Sequence, residues 1–110
     1  MKKNLFSDIP DQLEEEVFET LLESPHLKLE RIISRAHKTP DGQWYDQQWD
    51  EWVVLLQGTA GLLIEDEEQA RELTPGDYIL LPAHKRHRVE WTATDTETIW
   101  LALHFDKQNP

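Results

Sequence analysis

The stretch GDYILLPAHKRHRVEW, residues 76–91, decides how the chain folds. YILLP (78–82) is a run of β-favouring apolar residues that follows a Pro75–Gly76 turn signal. AHKR (83–86) breaks the run with polar residues. HRVEW (87–91) resumes it, with His87, Val89 and Trp91 alternating against Arg88 and Glu90, the period of a half-buried strand. The segment also sets a chemical question. It gathers Lys85, Arg86, Arg88, His84 and His87 in a chain that is otherwise strongly acidic.

The same rhythm continues on both sides. LKLERIISRAH (27–37) reads as extended, and TPDG (39–42) as a turn. QWYDQQWDEWVVLLQG (43–58) leads into a strand at WVVLL, and GTAGLLIE continues in another after Gly58. DEEQ (66–69) is a solvated hairpin tip, because four such groups cannot be buried unpaired. ARELTPGD reaches the turn before YILLP, and TETIWLALHF (96–105) is the last strand. Only DQLEEEVFETLLES (11–24) looks different. Leu13, Val17 and Leu21 recur every fourth residue with Phe18 and Leu22 beside them, and the spacing predicts a helix ended by Pro25. The expected organisation is therefore an N-terminal helical segment, residues 1–26, packed on a single all-β domain over 27–106. With no crossover helices between strands, the fold class expected is an antiparallel jelly-roll β-barrel.

Composition bounds the function. The 110 residues hold 22 Asp plus Glu against 11 Lys plus Arg, a formal charge of −11. That charge repels phosphate backbones and anionic lipid surfaces, so neither nucleic acid nor a membrane is an expected partner. No cysteine is present, which excludes thiol catalysis, disulfides and cysteine-held metals. The apolar runs are too short to span a bilayer, and no signal-peptide pattern follows the first lysines. A cytoplasmic protein is the default expectation. Nucleophile elbows and phosphate-binding glycine loops are missing.

Two spacings carry the candidate site. Glu51 is followed by six residues and Gly58. Gly76 is followed by five residues and Pro82, with His87 five positions beyond. The combination resembles the cupin superfamily, whose first motif runs from a glycine through HxH and three or four residues to Glu, then six residues to Gly. The second motif runs from Gly through five residues to PxG, then two residues to His. The resemblance implies a small single-domain cupin barrel with Glu51 and His87 as inward metal ligands. The first motif is degenerate here. The places of its two histidines fall on Tyr45 and Gln47 with a three-residue gap, or on Trp44 and Asp46 with a four-residue gap. The glycine of PxG is His84.

On that footing the expected ligands of a divalent cation (Zn, Fe, Mn or Ni) are Glu51 and His87, helped by Gln47 or Asp46 and by His37 or His104. Glu51 shares a strand phase with Val53 and Leu55, where a carboxylate needs a cation or a donor. Arg88 lies out of phase with His87 and faces away. Lys85 and Arg86 either steer an anion or neutralise nearby glutamates. The expected function is binding of a small molecule in the barrel at that metal, with a metal-free sensor or binding module as the alternative. Five tryptophans exceed what so small a core needs, which points to a pocket wall or a homodimer surface. The strand at 27–37 is the one expected to pair with a second copy.

Overall fold

The computed structural model describes residues 2–106. Eight strands follow in order: β1 Val17–Ser24, β2 Leu27–Ser34, β3 Asp50–Gln57, β4 Ala60–Ile64, β5 Arg71–Leu73, β6 Tyr78–Leu81, β7 His87–Thr92 and β8 Thr98–Phe105. They make a five-stranded sheet, β1-β2-β8-β3-β6, and a three-stranded sheet, β5-β4-β7, with all pairs antiparallel. The core lies where the inner faces meet. Val53, Leu55 and Trp100 of the large sheet pack in one cluster with Ala60, Leu62 and Leu73 of the small one. Burial alternates along β3, with Glu51, Val53 and Leu55 buried and Trp52 and Val54 half-buried.

The helix expected over residues 11–24 does not form, and no helix occurs among the described residues. Val17–Ser24 is instead strand β1, paired with β2 from Val17↔Ile33 to Ser24↔Leu27. The physical reason is the Pro25–His26 turn, which folds the segment straight back onto β2. A ready hydrogen-bonding edge outweighs a weak helical stripe. Burial contributes little, since only Val17 of the strand is even half-buried. The same pairing removes the expected role of residues 27–37 as a free edge, because β2 is flanked by β1 and β8.

The barrel is also not closed: the described strands form two separate sheets with no strand pair between them. The chain crosses from β6 to β7 through Pro82–Arg86. Proline and a left-handed residue there prevent the ladder from continuing. His84, at the place of the family's glycine, takes φ 64°, the backbone conformation a glycine would supply. Trp91 departs from the expected phase too. A bulge in β7 opposite Gly61/Leu62 shifts the register, so Val89 pairs with Leu62 while Trp91 lies over Gly61 and is 40% exposed. Among the described residues no helix is long and apolar enough to cross a membrane.

Gly58 has φ +85°, and a Cβ there would come within 2.8 Å of the Thr98 backbone. Gly58→Ala is expected to lose at least about 1–2 kcal/mol of unfolding free energy, read by urea denaturation. A neutral result would show that the β3–β4 corner can shift. Gly61→Ala is expected to push the Trp91 indole off its seat, since the new Cβ would stand 2.2 Å from its ring nitrogen. The readout is a change in tryptophan emission.

Candidate functional site

The inner faces of β2, β3, β7 and β8 converge on one cavity of about 70 Å³, walled by Val53, Leu62, Leu81, Val89 and Trp100. At about 30 Å³ per water in the liquid, that is room for about two ordered waters or a small ligand group. Its polar groups are Glu16, Glu30, Tyr45, Gln47, Glu51, His87 and His104, and no lysine or arginine among the described residues lines it.

Strand register explains the grouping. Glu51 pairs with His104 across β3 and β8, and cross-strand partners share a face. Glu30 is in phase with them on β2, opposite Ala102. His87 arrives from the small sheet. Its N–H donates to the Tyr45 carbonyl and its carbonyl accepts from Tyr45 N–H, at 3.1 and 2.8 Å. That bridge sets the two rings face to face, with centroids 5.5 Å apart and planes 22° from parallel.

Four of the six expected ligands therefore line the cavity: Glu51, His87, Gln47 and His104. Tyr45 and Gln47 face it, which fits the three-residue gap. Asp46 points out and contacts the exposed His84 at 2.9 Å. His37 lies elsewhere, accepting from the Arg35 N–H at 2.8 Å and reaching the Glu14 carbonyl at 3.2 Å. Glu30 and Glu16 are site residues that sequence reasoning misses. LKLERIIS gives no sign of Glu30, apart from its even spacing with Ile32. Arg88 is buried and faces away as expected. It donates to the Gln43 and Thr39 carbonyls at 3.1 and 3.2 Å and so fastens the 39–43 turn. Lys85 pairs loosely with Asp66, and Arg86 lies over the Trp44 ring. Both basic residues are engaged outside the cavity.

Four of the six titratable groups that line the cavity form two unlike pairs. His104 Nε2 donates to Glu30 Oε1 at 2.8 Å. That hydrogen bond holds the Glu30 carboxyl below its ordinary range and lifts the His104 imidazole above its own. The two form an ion pair. Glu51 and His87 are 6% and 5% exposed and face each other at 3.7 Å, Oε1 to Nε2, too far for a hydrogen bond. Burial pushes the Glu51 carboxyl up, and the nearby Glu30 adds to this against the pull of His104. Burial pushes the His87 imidazole down. Both are therefore favoured in their neutral forms. His87 Nδ1 donates to the Lys85 carbonyl at 3.1 Å, which leaves Nε2 as an acceptor aimed at Glu51. No side-chain hydrogen bond among the described residues involves the Glu51 carboxyl.

This donor set does not fit a divalent cation as it stands. Among the described residues, no three His, Asp or Glu side chains gather where one ion could be held. His104 is engaged by Glu30, and burial shifts the carboxyl that would supply the negative ligand away from ionisation. Metal ligation needs an ionised carboxylate and free imidazole nitrogens.

The profile of the Cupin domain family matches residues 35–104. No curated protein matches the chain. A crystallised protein of Ralstonia eutropha JMP134, provisionally named a mannose-6-phosphate isomerase, is 46% identical; the match covers 97% of this chain and 99% of that one, with a TM-score of 0.94. TT1209 of Thermus thermophilus is 15% identical with a TM-score of 0.77, over 97% of this chain and 98% of that one. The polyketide cyclase RemF of Streptomyces resistomycificus is 20% identical with a TM-score of 0.71, over 88% of this chain and 69% of that one. The last two likenesses are of fold alone.

The Glu51 shift gives a pH signature. A carboxyl raised in the folded state contributes stability that is full below its unfolded value, near 4.5, and is lost as pH rises through the folded value. Glu51→Gln removes that loss at almost constant volume. The variant is expected to gain on the wild type as pH rises above 4.5, and then hold a constant advantage. Denaturation curves from about pH 5 to 9 check this, and an advantage independent of pH would count against a neutral buried Glu51.

Proposed function

The chain belongs to the cupin family, and we propose that its cavity binds a small neutral molecule carrying a hydroxyl group, without a metal ion. One observation carries this reading. Glu51 and His87 present a buried carboxyl, shifted by burial toward its protonated form, and an imidazole nitrogen, 3.7 Å apart and without a hydrogen bond between them, at the wall of an apolar cavity. A hydroxyl both accepts and donates, so one such group satisfies both partners at once. The apolar walls take the rest of the ligand.

Charge argues against an anionic ligand. Among the described residues, Glu16, Glu30 and Glu51 line the cavity with no lysine or arginine, and His104 is already paired with Glu30. A phosphate monoester would add a charge of about −1.5 to −2 there. A sugar phosphate, as the name of the Ralstonia protein suggests for that protein, is therefore disfavoured for this one by charge and by the size of the cavity.

A second reading has its own support. A neutral acid beside a neutral base can move a proton through a bound hydroxyl, with Glu51 donating while Nε2 of His87 accepts. That arrangement suits interconversion of an enol and a ketone. The carboxylic acid would supply a proton at one position, and the imidazole would remove one from the other.

Butane-2,3-diol and 3-hydroxybutanone are suitable neutral probes, with glycerol 3-phosphate as the anion. Amide chemical shifts of β3, β7 and β8 are expected to move saturably with the neutral probes only. Glu51→Gln should weaken the effect several-fold and His87→Leu should abolish it. Preference for the phosphate would sink the charge argument. Elemental analysis of protein purified without chelator is expected to show substoichiometric metal. A full equivalent that is lost on replacing His87 would overturn the metal-free reading.

A further inference from the structure

One row of inward side chains crosses four strands of the large sheet. Leu55 of β3 pairs with Trp100 of β8, Trp100 with Ile32 of β2, and Ile32 with Phe18 of β1. Cross-strand partners share a face, so the row is continuous. Its burial falls steadily along that line. Leu55 and Trp100 are 0% and 5% exposed, Ile32 is half-buried, and Phe18 is 53% exposed. The reason is the width of the second layer, where three strands face five. The small sheet packs Ala60, Leu62 and Leu73 with Leu55 and Trp100, while Ile32 only borders that core. Trp100, Ile32 and Phe18 also line the cavity that holds Glu51 and His87. The cavity therefore opens toward β1, over an apolar ramp.

We infer that this ramp is the subsite for an alkyl tail of the ligand, and that Phe18 sets the preference for a long tail. This rests on the hydroxyl reading of Glu51 and His87, which fixes where the head lies. Size requires an exit. The cavity, about 70 Å³, holds a small ligand group, so the rest of any larger molecule extends toward the mouth. Two strand spacings, about 10 Å, separate the Trp100 backbone from that of Phe18, which gives the tail its path.

Charge selects the chemistry of the tail. The row itself carries none, but acidic side chains border it. Glu30 is the next inward residue of β2 on one side. On the other, Glu16 accepts from the buried Ser34 hydroxyl at 2.6 Å. Both glutamates line the same cavity. A tail ending in a carboxylate or phosphate would be repelled there, whereas an alkyl chain meets the apolar side chains between them. A phenyl ring left more than half exposed at the mouth of an apolar cavity is surface that such a chain removes from water. The ligand class is thus a neutral alcohol or diol carrying an alkyl chain.

Butane-, hexane- and octane-1,2-diol keep one head and lengthen the tail, and amide chemical-shift titration of the whole chain gives their dissociation constants. Complete burial of a methylene is worth about fourfold in affinity, and burial of one side about twofold. The wild type is expected to tighten about twofold per added methylene, with the shifts of β1 and β2 growing along the series. Phe18 lies more than half exposed on an edge strand, so the fold tolerates its replacement. Phe18→Thr is expected to flatten the series, and Phe18→Leu to retain most of its slope. Glu51→Gln is expected to weaken all three diols by one common factor, because it touches the head alone. Equal affinity for the three diols would overturn the inference, and so would a slope that Phe18→Thr leaves in place; in either case the hydroxyl reading survives. A slope that Phe18→Thr removes, with Glu51→Gln binding as tightly as the wild type, would keep the apolar subsite and sink the hydroxyl reading. Failure of every diol to bind would overturn both. A Phe18→Thr variant whose sedimenting mass changes while its slope does not would also overturn the inference, by assigning the ring to a contact with another chain.

Discussion

Strand β3 is apolar on both of its faces, and much of the molecule follows from that constraint. Val53 and Leu55 point inward, while Trp52 and Val54 point outward. An antiparallel sheet can leave one face to water only if that face is polar. The inner face is met by the small sheet, which brings Ala60, Leu62 and Leu73 against it. Among the described residues, no second layer of strands covers the outer face. The same alternation places Glu51 in the inward row, so the residue that organises the cavity is positioned by the rule that builds the core.

A carboxyl in an apolar row can be accommodated in two ways. It can ionise and find a cation, or it can keep its proton. The cavity shows both solutions side by side. Glu30 has a histidine at hydrogen-bond distance and ionises with it. Glu51 is the more deeply buried and has no such contact, and it is favoured as an acid. Isolated burial of an ionised carboxylate costs several kcal/mol even after relaxation, so protonation is the cheaper state. Two of the glutamates lining one cavity are thus shifted in opposite directions. The unlike pairs give the cavity a proton donor and a proton acceptor that no neighbour consumes.

Local pattern in the sequence discloses part of this and hides the rest. The strands after residue 27, the corner glycine at position 58 and the inward Glu51 and His87 follow from alternation and turn chemistry, which are local. The features it hides are non-local. The Leu13–Val17–Leu21 stripe suits a helix until β2 offers it an edge, and nothing within residues 11–24 reports that edge. Alternation puts Trp91 in phase with His87 and Val89, but a bulge against Gly61 resets the phase, and bulges leave little local trace. Glu30 stands in LKLERIIS as one polar residue among several. Only the register of β2 on β8 brings it near His104. His37 and His104 are equivalent candidates in the sequence, and only the fold separates them.

The departures from the family motif change the chemistry in one direction. A second imidazole in place of Tyr45 would offer a neutral nitrogen near His87. The phenol instead stacks on the His87 ring, and burial raises it further from ionisation, so it offers no phenolate. Gln47 offers an amide in place of the other imidazole, and an amide binds transition metals weakly. The remaining nitrogen on that side, His104, is turned to Glu30. Each replacement puts a weaker metal ligand in the place of an imidazole and leaves a neutral hydrogen-bonding group. Such groups discriminate among neutral ligands well, because a site built around a hydroxyl is left with unpaired buried groups when the hydroxyl is missing. On the reading proposed above, the degenerate motif serves as a hydroxyl-reading wall rather than as a damaged metal site.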